Sequence, residues 1–194
     1  IEEYDADALK RVRFVFGHGV DADVAALFPP ERVKLFVVCR DPFTRFVSTY
    51  KHHLRTDKTG KPLSAQAFLD RQRQDPFADA VLRGFGGYAP DGPQSGEKRL
   101  IETLRNFEFV LTTEHLDAQS ADLFRTVDLP PLNTRKRQFP DEPDLEGITA
   151  EEIHQRNRID TLVSQRANEA FAKHSDGGTH NPFGFDAKAR ERFG

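Results

Sequence analysis

Between Val33 and Val38 the chain reads VKLFVV, an apolar run interrupted only by Lys34. A strand covered on both faces reads this way, whereas a half-exposed strand alternates apolar and polar residues. Such strands belong to the parallel sheets of α/β proteins, so this run constrains the architecture more than any other. Arg40, Asp41 and Pro42 follow it directly. Asp41 can cap the free amides of a helix, and Pro42 suits a first helical position. Phe43, Phe46, Val47, Tyr50 and Leu54 then recur at helical spacing and predict one buried stripe. Asp41, Arg45, Ser48 and His52 fall on the opposite face.

The rest of the chain repeats the alternation. Val12–Phe16, VRFVF, is expected to form a short buried strand ending at Gly17-His18-Gly19, and Asp21–Phe28 a short helix stopped by Pro29-Pro30. Leu63–Leu82 predicts helix with a break near Asp75-Pro76, Glu97–Leu104 a helix, Phe107–Thr112 a buried strand, and Asp117–Val127 a helix. Gly84–Gly96 reads as a long loop able to shape an acceptor site, and Asn133–Arg137 as a basic loop. A last long helix is expected from Thr149, where T-x-x-E makes a capping box. Its buried face would be Ile153, Ile159, Leu162, Val163, Ala167, Ala170 and Phe171. The expected fold class is α/β, a parallel sheet flanked by helices, in one domain over 1–194. In such sheets ligands sit beyond the carboxyl ends of the strands. His18 and Arg40 both follow predicted strands, so both are expected on that edge.

Composition excludes several classes. Lys plus Arg number 28 against 31 Asp plus Glu, so no broad cationic surface for nucleic acid is expected. One cysteine, Cys39, rules out an internal disulfide. No apolar run approaches the ~20 residues of a membrane span, and no signal-peptide pattern opens the chain. The expected compartment is the cytoplasm. The chain starts at Ile1 and contains no Met, which suggests an incomplete N-terminus. Nothing in the sequence fixes an oligomeric state.

The chemistry concentrates in R-D-P-x-x-R-x-x-S-x-Y, residues 40–50. Arg40 stands where a helix N-terminus already favours an anion, and its guanidinium can fork onto a phosphate. Ser48 lies two turns into the helix, about 10 Å along it, and offers a hydroxyl. Arg45 is expected to brace the turn through Asp41. This pattern after an apolar strand resembles the 3′-phosphate-binding element of sulfotransferases that use 3′-phosphoadenosine 5′-phosphosulfate (PAPS). The resemblance is closest to the carbohydrate group, including heparan 2-O-sulfotransferases and bacterial relatives. It also takes in Phe14–Gly19 (F-V-F-G-H-G), Phe109–Leu116 (F-V-L-T-T-E-H-L) and Leu132–Arg137 (L-N-T-R-K-R), and so spans about Arg13 to Phe171.

The resemblance implies a P-loop-NTPase-like sulfotransferase fold, with Arg40 and Ser48 holding the 3′-phosphate of PAPS and Arg135 and Lys136 helping to bind phosphates. The family's strand-loop-helix for the 5′-phosphosulfate does not precede Arg13, and is expected upstream of Ile1. Lys58-Thr59-Gly60-Lys61 is no substitute, since it follows a helix and precedes Pro62. Sulfuryl transfer needs positioning, charge neutralisation and a base, but no metal. His18 is the candidate base, because histidine titrates near neutrality. His52 and His53 are expected on a solvated helix surface, and His115 and His154 have no supporting context. The expected partners are PAPS and a hydroxyl-bearing acceptor, a glycan by resemblance. Two alternatives stay open: a P-loop-like nucleotide or small-molecule kinase, and a non-catalytic nucleotide-binding module.

Overall fold

The structure, a computed structural model, describes residues 6–15, 17, 20–86, 96–128, 142–173 and 181–187. Its elements are α1 (Ala6–Arg11), α2 (Ala22–Ala25), a 3-10 turn (Pro30–Arg32), β1 (Phe36–Cys39), α3 (Pro42–Thr56), α4 (Ala65–Arg71), α5 (Pro76–Phe85), α6 (Gly96–Leu104), β2 (Phe109–Thr112), α7 (Leu116–Thr126), α8 (Ala150–Arg156) and α9 (Arg158–Lys173). The fold is mixed α/β, with a small sheet of two strands flanked by helices. The strands are parallel. Glu108 donates its N–H to Leu35 O at one end, and Thr113 donates to Cys39 O at the other. All four residues of β2 are buried, as a strand covered on both faces requires. Among the described residues no helix is long and apolar enough to cross a membrane.

One expected strand does not form. Residues 12–15 are irregular, with Phe14 37% and Val15 43% exposed. The Val12 N–H turns back to Leu9 O and closes the last turn of α1, so the segment begins as a helix end. The Phe14 ring stacks on Phe36 instead, 5.5 Å between centroids, and among the described residues no third strand joins the sheet.

The chain divides into two compact units. Unit 1 comprises residues 1–36, 79–108 and 183–194. Leu35, Val81, Phe85, Leu100, Leu104 and Phe107 are buried in it, with Phe85 edge-on to Phe107 at 5.0 Å. Asp21 caps α2 through the Val24 N–H, as a short helix start requires.

Unit 2 comprises residues 37–78 and 109–182 and carries the R-D-P segment. Phe46, Tyr50, Ala65, Phe68, Leu69, Ile148 and Ile153 form its core, with Phe43, Leu54, Leu63 and Leu145 packed at the edge. Phe43, Phe46, Tyr50 and Leu54 of the predicted α3 stripe therefore face this core, while Val47 does not join it. Tyr50, the last residue of the motif, is core: its Oη donates to Leu63 O, and its ring stacks on Phe46. α7 and α9 pack on β2, and α3 packs on α4, α8 and α9.

The single long helix expected from Thr149 is two. Thr149 does cap the start, accepting the Glu152 N–H. The helix ends at Asn157, whose side chain donates to Ile153 O and accepts the Asp75 N–H. Asp75 returns the contact, its Oδ1 accepting the N–H groups of Ile159 and Asp160 and capping α9. Asp75 itself has φ 44°, which ends the preceding segment before Pro76. The predicted break at Asp75-Pro76 and the unpredicted break at Asn157 are thus one hydrogen-bonded junction.

Candidate functional site

Strand β1 delivers Arg40 to the start of α3, and the turn between them is fastened from several directions. Asp41 caps α3: its Oδ1 accepts the Thr44 N–H at 2.9 Å, while Thr44 Oγ1 donates back to Asp41 O. A cap of this kind contributes ~1 kcal/mol. The other carboxylate oxygen of Asp41 lies 2.7 Å from His154 Nε2. The Asp41 N–H donates to Glu114 Oε1, which also accepts from the hydroxyls of Thr44 and Thr113. Glu114 follows β2 directly, so the sheet's second strand holds the turn that ends its first. Thr113 and Glu114, within F-V-L-T-T-E-H-L, thus have a physical task here.

Arg45 does not brace Asp41 as expected. Its Nη1 reaches Asp160 Oδ2 at 2.8 Å. Asp160 also accepts the N–H groups of Phe77 and Ala78, and so caps the N-terminus of α5. Asp41 is already committed to Thr44 and His154, which leaves Arg45 to turn toward α9. His154, which carried no sequence signal, is part of the turn through Asp41. His53 also departs from expectation. It is half-buried, its Nε2 accepts the Leu63 N–H, and its ring stacks on Phe68 at 5.0 Å. His52 is exposed, as expected. His115 stacks on Phe171, 4.4 Å between centroids.

With the turn fixed, one face of α3 opens on a groove of about 390 Å³. Arg40 and Ser48 both line it, together with Thr44 and Lys51. Phe43, Val47, Pro143 and Leu145 give it apolar walls, and Glu142 lies on its border. Residues 44, 48 and 51 stand four and three positions apart, which places them on one helical face. That spacing from Ser48 is the signal that picks out Thr44 and Lys51, neither of which the motif itself specifies.

Among the described residues, the Arg40 guanidinium has no hydrogen-bond partner, and its Nε is buried. Buried donors are nearly always paired, so an unpaired one beside a groove marks a place for an acceptor. The Ser48 hydroxyl and the Lys51 ammonium make no hydrogen bond to a described residue either. The neighbouring Thr49 and Thr56 hydroxyls, by contrast, bond back to carbonyls of their own helix. The groove therefore offers an unspent fork, an unspent hydroxyl and an unspent ammonium.

Behind the groove Cys39 is buried, its thiol donating to Leu111 O. Burial first, and then the Glu114 charge, push its pKa up to about 12. It is a small packing residue and not a nucleophile. In the Lys58–Lys61 loop, Asp57 accepts the Lys61 N–H and the Thr59 hydroxyl, so those donors are spent within the loop itself.

His18, Arg135 and Lys136 lie outside the described residues, as does most of the Gly84–Gly96 loop. Arg40 and Ser48 are the predicted site residues that the structure brings together.

No curated protein matches the chain, and no solved structure matches it. The profile of the Sulfotransferase family does match, over residues 30–177. That stretch opens at the 3-10 turn before β1 and closes just beyond α9. It takes in the groove and the residues that fasten its turn, Asp41, Thr44, Thr113, Glu114 and His154, as well as the Arg45–Asp160 pair. The spacing of R-D-P-x-x-R-x-x-S and this match over most of the chain lead to one assignment: the chain belongs to the Sulfotransferase family, enzymes that move sulfuryl groups.

Proposed function

We propose that this protein transfers a sulfuryl group from PAPS to an acceptor hydroxyl on a carbohydrate. The observation that carries the reading is that the Arg40 guanidinium and the Ser48 hydroxyl, neither with a partner among the described residues, line one groove. A phosphate monoester supplies acceptors to both, and the Arg fork matches its geometry. Membership of the family supports the sulfuryl chemistry. The carbohydrate acceptor rests on the resemblance of the motif to carbohydrate sulfotransferases.

In this reading the 3′-phosphate of the donor sits on Arg40 and Ser48, with Arg135 and Lys136 as further phosphate ligands. The turn held by Glu114 and His154 keeps Arg40 aimed without reorganisation, which is what makes such a contact effective. The acceptor oxygen attacks sulfur in line. A new S–O bond forms, the bond from sulfur to the 5′-phosphate oxygen breaks, and 3′-phosphoadenosine 5′-phosphate (PAP) leaves. The acceptor's proton passes to a base, for which we propose His18.

The test is sulfur transfer itself. The full-length protein is incubated with radiolabelled PAPS and a panel of glycans, with phenols and protein hydroxyls as comparison acceptors. Label should enter a glycan and be lost in the Arg40→Ala variant. Label entering only non-carbohydrate acceptors would overturn the carbohydrate reading. No transfer from PAPS to any acceptor, with retained binding of PAP, would favour a nucleotide-binding module.

A further inference from the structure

The charges around the groove do not balance in the way a single phosphate-binding arginine requires. Among the described residues three charged side chains line it: Arg40, Lys51 and Glu142. Arg40 and Glu142 alone would leave it formally neutral. Among the described lining residues, Lys51 is what tips the balance to positive. Among the described residues Lys51 has no ion-pair partner, whereas Arg45 on the same helix is committed to Asp160. Lys51 stands one turn beyond Ser48, about 4.5 Å along the helix axis. It therefore continues the line of donors that begins with Arg40 and passes through Ser48.

A phosphate monoester carries close to two negative charges near neutral pH, because its second ionisation falls at about 6. Among the described lining residues, Arg40 offset by Glu142 would leave both charges unmatched, and Lys51 adds a positive charge beside the Arg135 and Lys136 proposed above.

We propose that Lys51 is a third ligand of the phosphate held by Arg40 and Ser48, and that it sets the site's preference for a nucleotide bearing a 3′-phosphate monoester. This rests on the PAPS reading above. Lysine suits the position because a flexible stem carrying a point charge can follow a phosphate that the Arg fork has already oriented.

Calorimetry with the full-length protein tests it, using PAP and AMP as probes, which differ by the 3′-phosphate. In Lys51→Gln, affinity for PAP should fall by about tenfold, equivalent to ~1.4 kcal/mol, while affinity for AMP stays within about twofold. Lys51→Arg should restore most of the loss. Glu142→Gln should tighten PAP, since it removes the opposing charge. Lys51 leaves the core of α3 untouched, so the variants should keep the wild-type circular dichroism spectrum.

Equal losses for PAP and AMP in Lys51→Gln would overturn the assignment. So would an unchanged PAP affinity in a protein where Arg40→Ala still abolishes the preference, and that result would leave the PAPS reading standing. A wild-type protein that binds PAP no better than AMP would overturn both.

Discussion

Arg45 and Asp160 lie 115 positions apart in the chain and meet as an ion pair at 2.8 Å. Asp160 is 1% exposed, and its two oxygens also accept the first amides of α5. One carboxylate thus ties α3 and α9 to Phe77 and Ala78, all within unit 2. The helix that carries Ser48 is thus anchored through Arg45 by Asp160, which does not line the groove.

That arrangement predicts the cost of breaking it. Asp160→Ala leaves a partly buried guanidinium and two helix-start amides without their acceptor. Removing one partner of a buried pair typically costs roughly 3–5 kcal/mol. Urea denaturation should show a loss of that order for Asp160→Ala. The loss should be smaller for Arg45→Ala, whose side chain is 25% exposed and can be partly replaced by water. A change below ~1 kcal/mol in Asp160→Ala would mean that the junction contributes little.

Asp75 gives a pH dependence of definite sign. Burial raises its pKa above the ordinary 3.8, against the opposing effect of the hydrogen bonds it accepts. A carboxyl whose pKa is higher folded than unfolded binds its proton more tightly in the native state. Its stabilising contribution is complete below the unfolded value and is lost as pH rises through the raised one. Asn keeps the acceptor oxygen, suits the positive φ and does not titrate. The stability of the wild type relative to Asp75→Asn should therefore fall as pH rises from below 3.8 into the window above it. Denaturation midpoints of the two proteins across acidic pH measure this, and a difference independent of pH would refute it.

Arg40→Ala and Ser48→Ala should weaken PAP far more than AMP. Loss of a charge-assisted contact costs roughly 1.5–3 kcal/mol, so each affinity should drop tenfold or more for PAP alone. Titration calorimetry gives both constants, and matching losses for the two nucleotides would remove these residues from the 3′-phosphate.

Cys39 should be inert in the folded protein. A thiol with a pKa of about 12 has almost no thiolate at neutral pH, and this one is 1% exposed. Iodoacetamide should label it in denaturant and leave it unmodified under native conditions. Rapid native labelling followed by mass spectrometry would show that the packing around β1 opens readily.

His18→Ala should lower turnover by about 10²–10⁴-fold while leaving PAP affinity nearly unchanged, as expected for loss of a general base. Turnover and affinity are to be measured on the same folded variant. Unimpaired turnover would assign proton removal to another residue.

The local pieces of the site were legible in the chain because they depend on neighbours. VKLFVV reads as a strand whatever it packs against, although the strand is confined to Phe36–Cys39 and only Cys39 of it is fully buried, and Asp41-Pro42 starts a helix by capping and a fixed φ. The motif marks Arg40 and Ser48 as phosphate ligands, and the packed turn and helix bring both to one groove. VRFVF misled for the same reason: its apolar pattern is local, but a strand also needs a partner to take its backbone hydrogen bonds, and residues 12–15 have no such ladder among the described residues.

What the tertiary structure decided is the traffic of buried charge. Arg45 stands four residues from Asp41 and pairs with Asp160 instead, because Asp41 is claimed by Thr44 and His154. The helix from Thr149 breaks at Asn157, because Asn157 and Asp75 satisfy one another's junction across a separation of 82 residues. Such choices follow from which donors and acceptors burial brings together, and a buried group must be satisfied by whatever partner the fold supplies. The sequence by itself determined the strand, the capped helix and the motif that carries Arg40 and Ser48. Only the packed chain determined which acid holds Arg45 and that Arg40 and Lys51, both lining the groove, have no side-chain partner among the described residues.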